Sequence, residues 1–163
     1  MSPGPGGTGG PGAPVPGAND GASGVAVLLE LAHVLGQPKQ PIILAFFDGE
    51  DQGDLNGWDW AVGAAYMAAN LKEPIANVVV VDMIGDVDQK MYWETNSNPD
   101  LRQRLWAIAA ELGYDRQFIA QPKHRLLDDH IPFLQRGIPA VDIIEFDYPY
   151  WHTTQDTPDK VSP

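Results

Sequence analysis

Residues Pro41–Gly53 read PIILAFFDGEDQG, in which the apolar run Ile42 to Phe47 leads directly into Asp48, Gly49, Glu50 and Asp51. A continuous apolar run this short, bounded by Pro41 and Gly49, predicts a strand buried on both faces. Like charges that close repel, so the carboxylates at its end call for a cation or for solvent around them. Taken alone, the segment is most simply a solvated acidic turn. The pattern recurs, however. Asn77–Asp82 (NVVVVD) is a second apolar run ending in an acid and followed by Asp86, and Ala140–Asp147 (AVDIIEFD) is a third with acids inside and after it. In open α/β sheets, sites form in the crevice beyond the carboxyl ends of the strands. Acid-tipped strands would bring their carboxylates to one edge, and a metal site is the economical explanation.

Composition narrows the chemistry. At 163 residues with 44% hydrophobic residues, the chain is one domain's worth with enough apolar surface for a core. A net charge of −12, from 22 acids against 10 bases, argues against nucleic acid and against an anionic membrane surface as partners. There is no cysteine, so any zinc must sit on histidine and carboxylates. No apolar run approaches the roughly 20 residues of a membrane span, and no basic stretch followed by an apolar one marks a signal peptide in the given chain.

Residues 1–16 are almost wholly small residues and proline, which predicts a disordered arm ahead of a partial α/β domain over 17–163. Gly4, Gly6 and Gly9 match G-x-G-x-x-G, but no strand precedes them and no helix follows, so the match is discarded. Asn19 or Asp20 is expected to cap a helix over about Gly21–Leu35, with Val25, Leu28, Leu29, Ala32 and Leu35 along its apolar side. His33 falls among the polar positions. After a loop at Gln52–Gly57, a helix over about Trp58–Leu71 carries small residues suited to close packing on a sheet. Strands are expected at Asn77–Ile84, Lys90–Trp93, Gln117–Ala120 and Ala140–Phe146, and helices at Pro99–Leu112 and Asp128–Gln135. His124 is expected in a polar loop, and Asp129 as a cap or solvated acid. The alternation predicts the α/β class: a three-layer α/β/α arrangement with a mostly parallel central sheet, incomplete in this chain.

From Pro16 to Pro163 the sequence resembles the zinc aminopeptidases of metallopeptidase family 28, and within that clan the glutaminyl cyclases. The matching segments are GANDGASG (Gly17–Gly24), FFDGED (Phe46–Asp51), VVVDMIGD (Val79–Asp86), DDHIPF (Asp128–Phe133) and WHTTQDT (Trp151–Thr157). The resemblance implies that Asp20, Asp51 and His152 are zinc ligands and that Glu50 is the general base. Asp82 matches the carboxylate of a second metal in two-metal members, or of a hydrogen-bond network in the cyclases. Asp128 matches an acid of that network and is a candidate catalytic residue. Trp151 matches an aromatic residue lining the cyclase substrate pocket. Relatives mostly place Glu where Asp51 stands.

Two-metal aminopeptidases carry a further histidine ligand upstream of the segment matching Asp20, where this chain has its Pro/Gly arm. The one-zinc set is therefore complete, while the second-metal set is reduced to Asp20 and Asp82. One zinc is expected, with a second conceivable in a longer protein. The implied partner is a peptide with a free amino terminus. The first function expected is a zinc exopeptidase that hydrolyses an amino-terminal peptide bond with metal-activated water; the alternatives are a glutaminyl-peptide cyclotransferase forming amino-terminal pyroglutamate and a non-catalytic fragment or binding module that keeps the fold. DDHIPF and Trp151 lean towards the cyclase.

Overall fold

A computed structural model describes residues 14–51, 57 and 59–162. Most of the expected arm and of the loop expected at Gln52–Gly57, with Trp58, lies outside the described residues. The chain divides into two compact units, one of Met1–Ala45, Asp82–Gln89 and Glu145–Pro163, the other of Phe46–Val81 and Lys90–Ile144. No helix among the described residues is long and apolar enough to cross a membrane.

The first unit contains α1 (Ala22–Val34). Its N-cap is Gly21, at φ 104°, and no side chain caps it. The cap expected from Asn19 or Asp20 is therefore not made. Instead Ala22 N–H donates to the Gly17 carbonyl at 3.1 Å. The face expected to be buried is largely exposed at Val25, Leu29 and Ala32, whereas Ser23 and Gly24 are buried. Those two residues lie where α1 meets the 82–89 segment, as the hydrogen bonds from Ser23 described below show. The segment also pairs with the chain's last turns: Asp86 bridges Val161, and Ser162 N–H donates to Gly85 O at 2.8 Å.

The second unit contains α2 (Val62–Asn70), β1 (Val78–Asp82, whose last residue falls in the first unit), β2 (Met91–Glu94), α3 (Pro99–Glu111), β3 (Phe118–His124), α4 (Ile131–Gln135) and β4 (Ala140–Ile144). The strands pair as β1 with β4 and as β2 with β3, the latter parallel. β2 also runs alongside β4. Helices over parallel-paired strands bear out the α/β class. The small side chains of α2 have the packing role expected of them: Ala61, Ala64 and Ala68 form a core with Phe133 of α4 and Ala140 of β4, with Val78 and Phe47 packed against it. Gly63 is required here, because a Cβ would come within 2.7 Å of the Asp48 carbonyl oxygen.

Elsewhere the local chemistry explains the boundaries. Asn98 caps α3 through a hydrogen bond from Leu101 N–H at 2.9 Å, with Pro99 at the first helical position. β3 runs further than expected and takes His124 into a strand end rather than a loop. It tolerates Pro122 because the ladder is irregular on both sides of Trp93, which pairs with Pro122. Strict alternation would bury Met91 with Trp93, but the irregular ladder buries Met91 with Glu94.

A further expectation fails. Pro41–Phe47 is not a strand, and Ile42, Ile43 and Phe46 are about half exposed. A strand exists through a hydrogen-bonded neighbour, and no described strand pairs with this run.

The buried Glu94 carboxylate ties the second unit together. It accepts from the N–H groups of Asn96 (2.8 Å), Ser97 (2.6 Å) and Leu126 (2.9 Å) and from Ser97 Oγ (2.8 Å). Burial alone would raise its pKa, but hydrogen bonds from His130, Asn96, Leu126 and Ser97 outweigh it and lower the group from 4.5 to about 2. A depressed folded-state pKa adds stability that is present above pH 4.5 and lost as the pH falls towards 2. Glu94→Gln is expected to cost about 2 kcal/mol at pH 7 in urea unfolding. The gap from wild type should close as both proteins are taken through that acid window.

Candidate metal and catalytic site

In the first unit, the segments GANDGASG and VVVDMIGD are stitched together by polar contacts at close range. Asn19 Oδ1 accepts from Gly85 N–H at 2.7 Å, and Ser23 Oγ accepts from Ile84 N–H at 3.1 Å while donating to Asn19 O at 2.6 Å. Gly85 leaves no room for a side chain, since a Cβ would stand 2.9 Å from that of Ser23. Asp20 follows directly, and its Oδ2 faces His152 Nε2 at 3.5 Å. His152 sits in the left-handed region at φ 57°, a conformation that costs a non-glycine residue and is often tolerated at functional positions. Trp151 stacks on its ring at 4.1 Å between centroids and leans on Phe146 at 4.9 Å.

This pair fits zinc. Oxygen and nitrogen ligands about 2.1 Å from a tetrahedral ion stand about 3.4 Å from each other, close to the observed spacing. Both side chains are part-exposed. Asp82 ends β1 and is half-buried, followed by the buried Met83 at φ 44°. No ligand-spaced group among the described residues includes Asp82.

The second unit holds Glu50, Asp51, Asp128 and Asp129. The turn carrying Glu50 is tied to the start of α2: Ala61 N–H donates to Glu50 O at 3.1 Å and Val62 N–H to Gly49 O at 3.3 Å. Burial, then a hydrogen bond with Asp51, then the charges of Asp128, Asp51 and Asp129 push the Glu50 carboxyl far above its ordinary range. Burial also raises Asp128, against the opposing pull of the Asp129 N–H and His130, and Asp51 and Glu94 add to the rise. Asp129 is pushed from 3.8 to about 7 by burial and by the charges of Asp128 and Asp51. It is buried and α4 has no side-chain cap, so the expected cap or solvated acid is corrected to a buried member of the acidic group. Carboxyls in this state hold protons or a cation.

A further group surrounds His130. Fully buried His130 lies between Glu94 Oε2, 3.2 Å from Nε2, and Asp142 Oδ2, 3.8 Å from Nδ1. Asp128, His130 and Asp142 have donor atoms within 4.8 Å of one another. Glu94 already engages the imidazole at ion-pair distance, so the group is an imidazole–carboxylate network behind Asp128. Asp156 holds Tyr148, whose phenol is pushed up by burial and by its hydrogen bond to Asp156 at 2.8 Å.

Comparison with known proteins identifies the family. A model of "Peptidase family M28" matches residues 5–163. The chain belongs to peptidase family M28. Among relatives of this M28 chain, the glutaminyl-peptide cyclotransferase of Drosophila melanogaster is 28% identical over 179 residues, covering 90% of this chain and 51% of the relative. The solved glutaminyl cyclase of Porphyromonas gingivalis is 34% identical, with a TM-score of 0.81, and the match covers 91% of this chain and 60% of that one. A Zn-dependent exopeptidase from Parabacteroides distasonis is 32% identical, with a TM-score of 0.82 and coverage of 92% and 59%. The chain thus spans about half to three-fifths of these relatives, shares their α/β fold and is of metallopeptidase-like type.

Asp129 offers a test of the acidic group. A raised folded-state pKa means that the metal-free protein loses stability as the pH rises from 3.8 through about 7. Asp129→Asn, which carries no charge, is expected to be more stable than wild type at pH 8 by up to about 4 kcal/mol. The two should converge below pH 3.8 in metal-free denaturant titrations.

Proposed function

We propose that this chain carries the site of a single-zinc enzyme acting at the free amino terminus of peptides, with glutaminyl cyclisation as its reaction. Asp20, Asp51 and His152 are the proposed ligands. Support comes from the spacing of Asp20 and His152, from the family resemblance at Asp51, and from a zinc exopeptidase among the structural relatives. Zinc held there would supply Lewis acidity to the carbonyl under attack.

The observation carrying the choice of reaction is an aromatic shelf in which Trp151 stacks on His152 and Phe146 leans on Trp151. Cyclisation needs no external water, because the α-amine of an amino-terminal Gln is itself the nucleophile. An apolar wall beside the ligand disfavours water and suits a folded-back glutaminyl side chain. Glu50 takes a proton from the α-amine as its nitrogen forms a bond to the γ-carbonyl carbon. It then returns a proton to the amide nitrogen as that carbon–nitrogen bond breaks and ammonia leaves. A carboxyl held above its usual range suits this two-way transfer. A cation on neighbouring Asp51 and an approaching ammonium both favour its ionised form, readying it to accept. Asp128, backed by His130, would hold the amine and the departing ammonia.

Hydrolysis is the second reading, favoured by the exopeptidase among the relatives. There Glu50 would remove a proton from water and return it to the leaving amine.

A paired assay separates the two. Pyroglutamate with ammonia from a Gln-initiated peptide is expected, and release of free amino acid from an aminoacyl anilide would support hydrolysis instead. Silence on both substrates by zinc-loaded protein would defeat the enzymatic reading. Glu50→Gln is expected to retain zinc while losing about 10²- to 10⁴-fold in kcat. Elemental analysis is expected to find one zinc per chain.

A further inference from the structure

We infer that Asp156 is a positioning residue for the metal site, fixing with one buried carboxylate both the backbone that carries Asp20 and the loop that carries His152. The inference rests on the proposed roles of Asp20 and His152 as ligands. Asp156 is fully buried, and each of its oxygens is engaged. Oδ1 accepts from Asn19 N–H at 2.9 Å and from the Tyr148 hydroxyl at 2.8 Å, and Oδ2 accepts from Asp20 N–H at 3.0 Å. Its carbonyl accepts from Ala18 N–H at 3.3 Å. A residue near one end of the chain thus receives consecutive backbone N–H groups from the turn ahead of α1.

That turn needs an outside acceptor. α1 has no side-chain cap, and the side-chain oxygen of Asn19 is committed to Gly85. Without Asp156, the N–H groups of Asn19 and Asp20 would lose their acceptor beside a residue that is itself fully buried. With its main chain held in this way, Asp20 does not cap the helix, and its carboxylate faces His152.

The same carboxylate closes the histidine loop. Trp151 N–H donates to Tyr148 O at 3.4 Å, Thr153 N–H to Tyr150 O at 3.0 Å, and Asp156 N–H to Thr153 O at 3.1 Å. These linked turns place His152 between Tyr148 and Asp156, which the phenol–carboxylate bond joins directly. His152 holds a left-handed backbone conformation that a loose loop would relax. Both proposed ligands of the first unit therefore depend on one acceptor, which also places negative charge behind a cation site.

The test compares zinc dissociation constants, by chelator competition, for the wild-type chain, Asp156→Asn, Tyr148→Phe and Asn98→Ala. The last removes the α3 cap and controls for lost stability away from the site. Asp156→Asn is expected to weaken zinc binding by about 10- to 100-fold. Tyr148→Phe, which keeps the carboxylate, should weaken it by less, and Asn98→Ala should leave it unchanged. The visible absorption of cobalt-loaded Asp156→Asn should shift from that of wild type, reporting altered ligand geometry. Zinc affinity within twofold of wild type in a folded Asp156→Asn would overturn the inference, as would an equal loss in Asn98→Ala. If Asp156→Asn does not fold, Tyr148→Phe decides: a several-fold loss supports the inference and an unchanged constant overturns it. A wild-type chain that binds no zinc would remove the metal reading itself, which the first arm reports separately.

Discussion

A carboxylate taken out of water must find donors, a proton or a cation, and this molecule is organised around that constraint. Glu94 and Asp156 are given donors: each is fully buried and accepts hydrogen bonds from backbone groups far apart along the chain. Glu50, Asp128 and Asp129 are not compensated in this way, and their carboxyls are raised. The first pair does structural work because its charge is satisfied. The second set is suited to chemistry because its charge is not.

The two kinds of carboxyl are linked through shared neighbours. Glu94 engages His130, whose charge in turn lowers Asp128 against the upward push of burial. Asp156 holds the main chain under Asp20, leaving that side chain opposite His152. In each case a fully compensated acid fixes the surroundings of one with a functional assignment. This division of labour is what preorganisation means for a site built from flexible acidic side chains.

Much of the fold was legible in the sequence because its elements carry local signals. The Asn98–Pro99 start of α3, the valine run of β1 and the apolar opening of β4 each specify their own structure. Pro41–Phe47 carried an equally plain signal and is not a strand, since strand formation depends on a neighbour that local residues cannot report. Asp20 and His152 were legible through motifs, and the structure pairs them. The alternative of Asp20 as a helix cap failed: Gly21 stands at the N-cap, and the Asp20 carboxylate faces His152 instead. The Glu94–His130–Asp142 network joins members from three separate elements, a juxtaposition that no single stretch of sequence reports. Asp129 was misjudged because burial, unlike charge, is a property of the whole fold.

The contact at Gly63 bears on how Glu50 can move. Hydrogen bonds from the N–H groups of Ala61 and Val62 reach back to the carbonyls of Glu50 and Gly49, while Gly63 lets the helix lie directly against Asp48. Glu50 is thereby tied through its carbonyl to the start of α2. Two backbone hydrogen bonds and one close helix contact thus moor the main chain of the proposed base to an element that the core already grips.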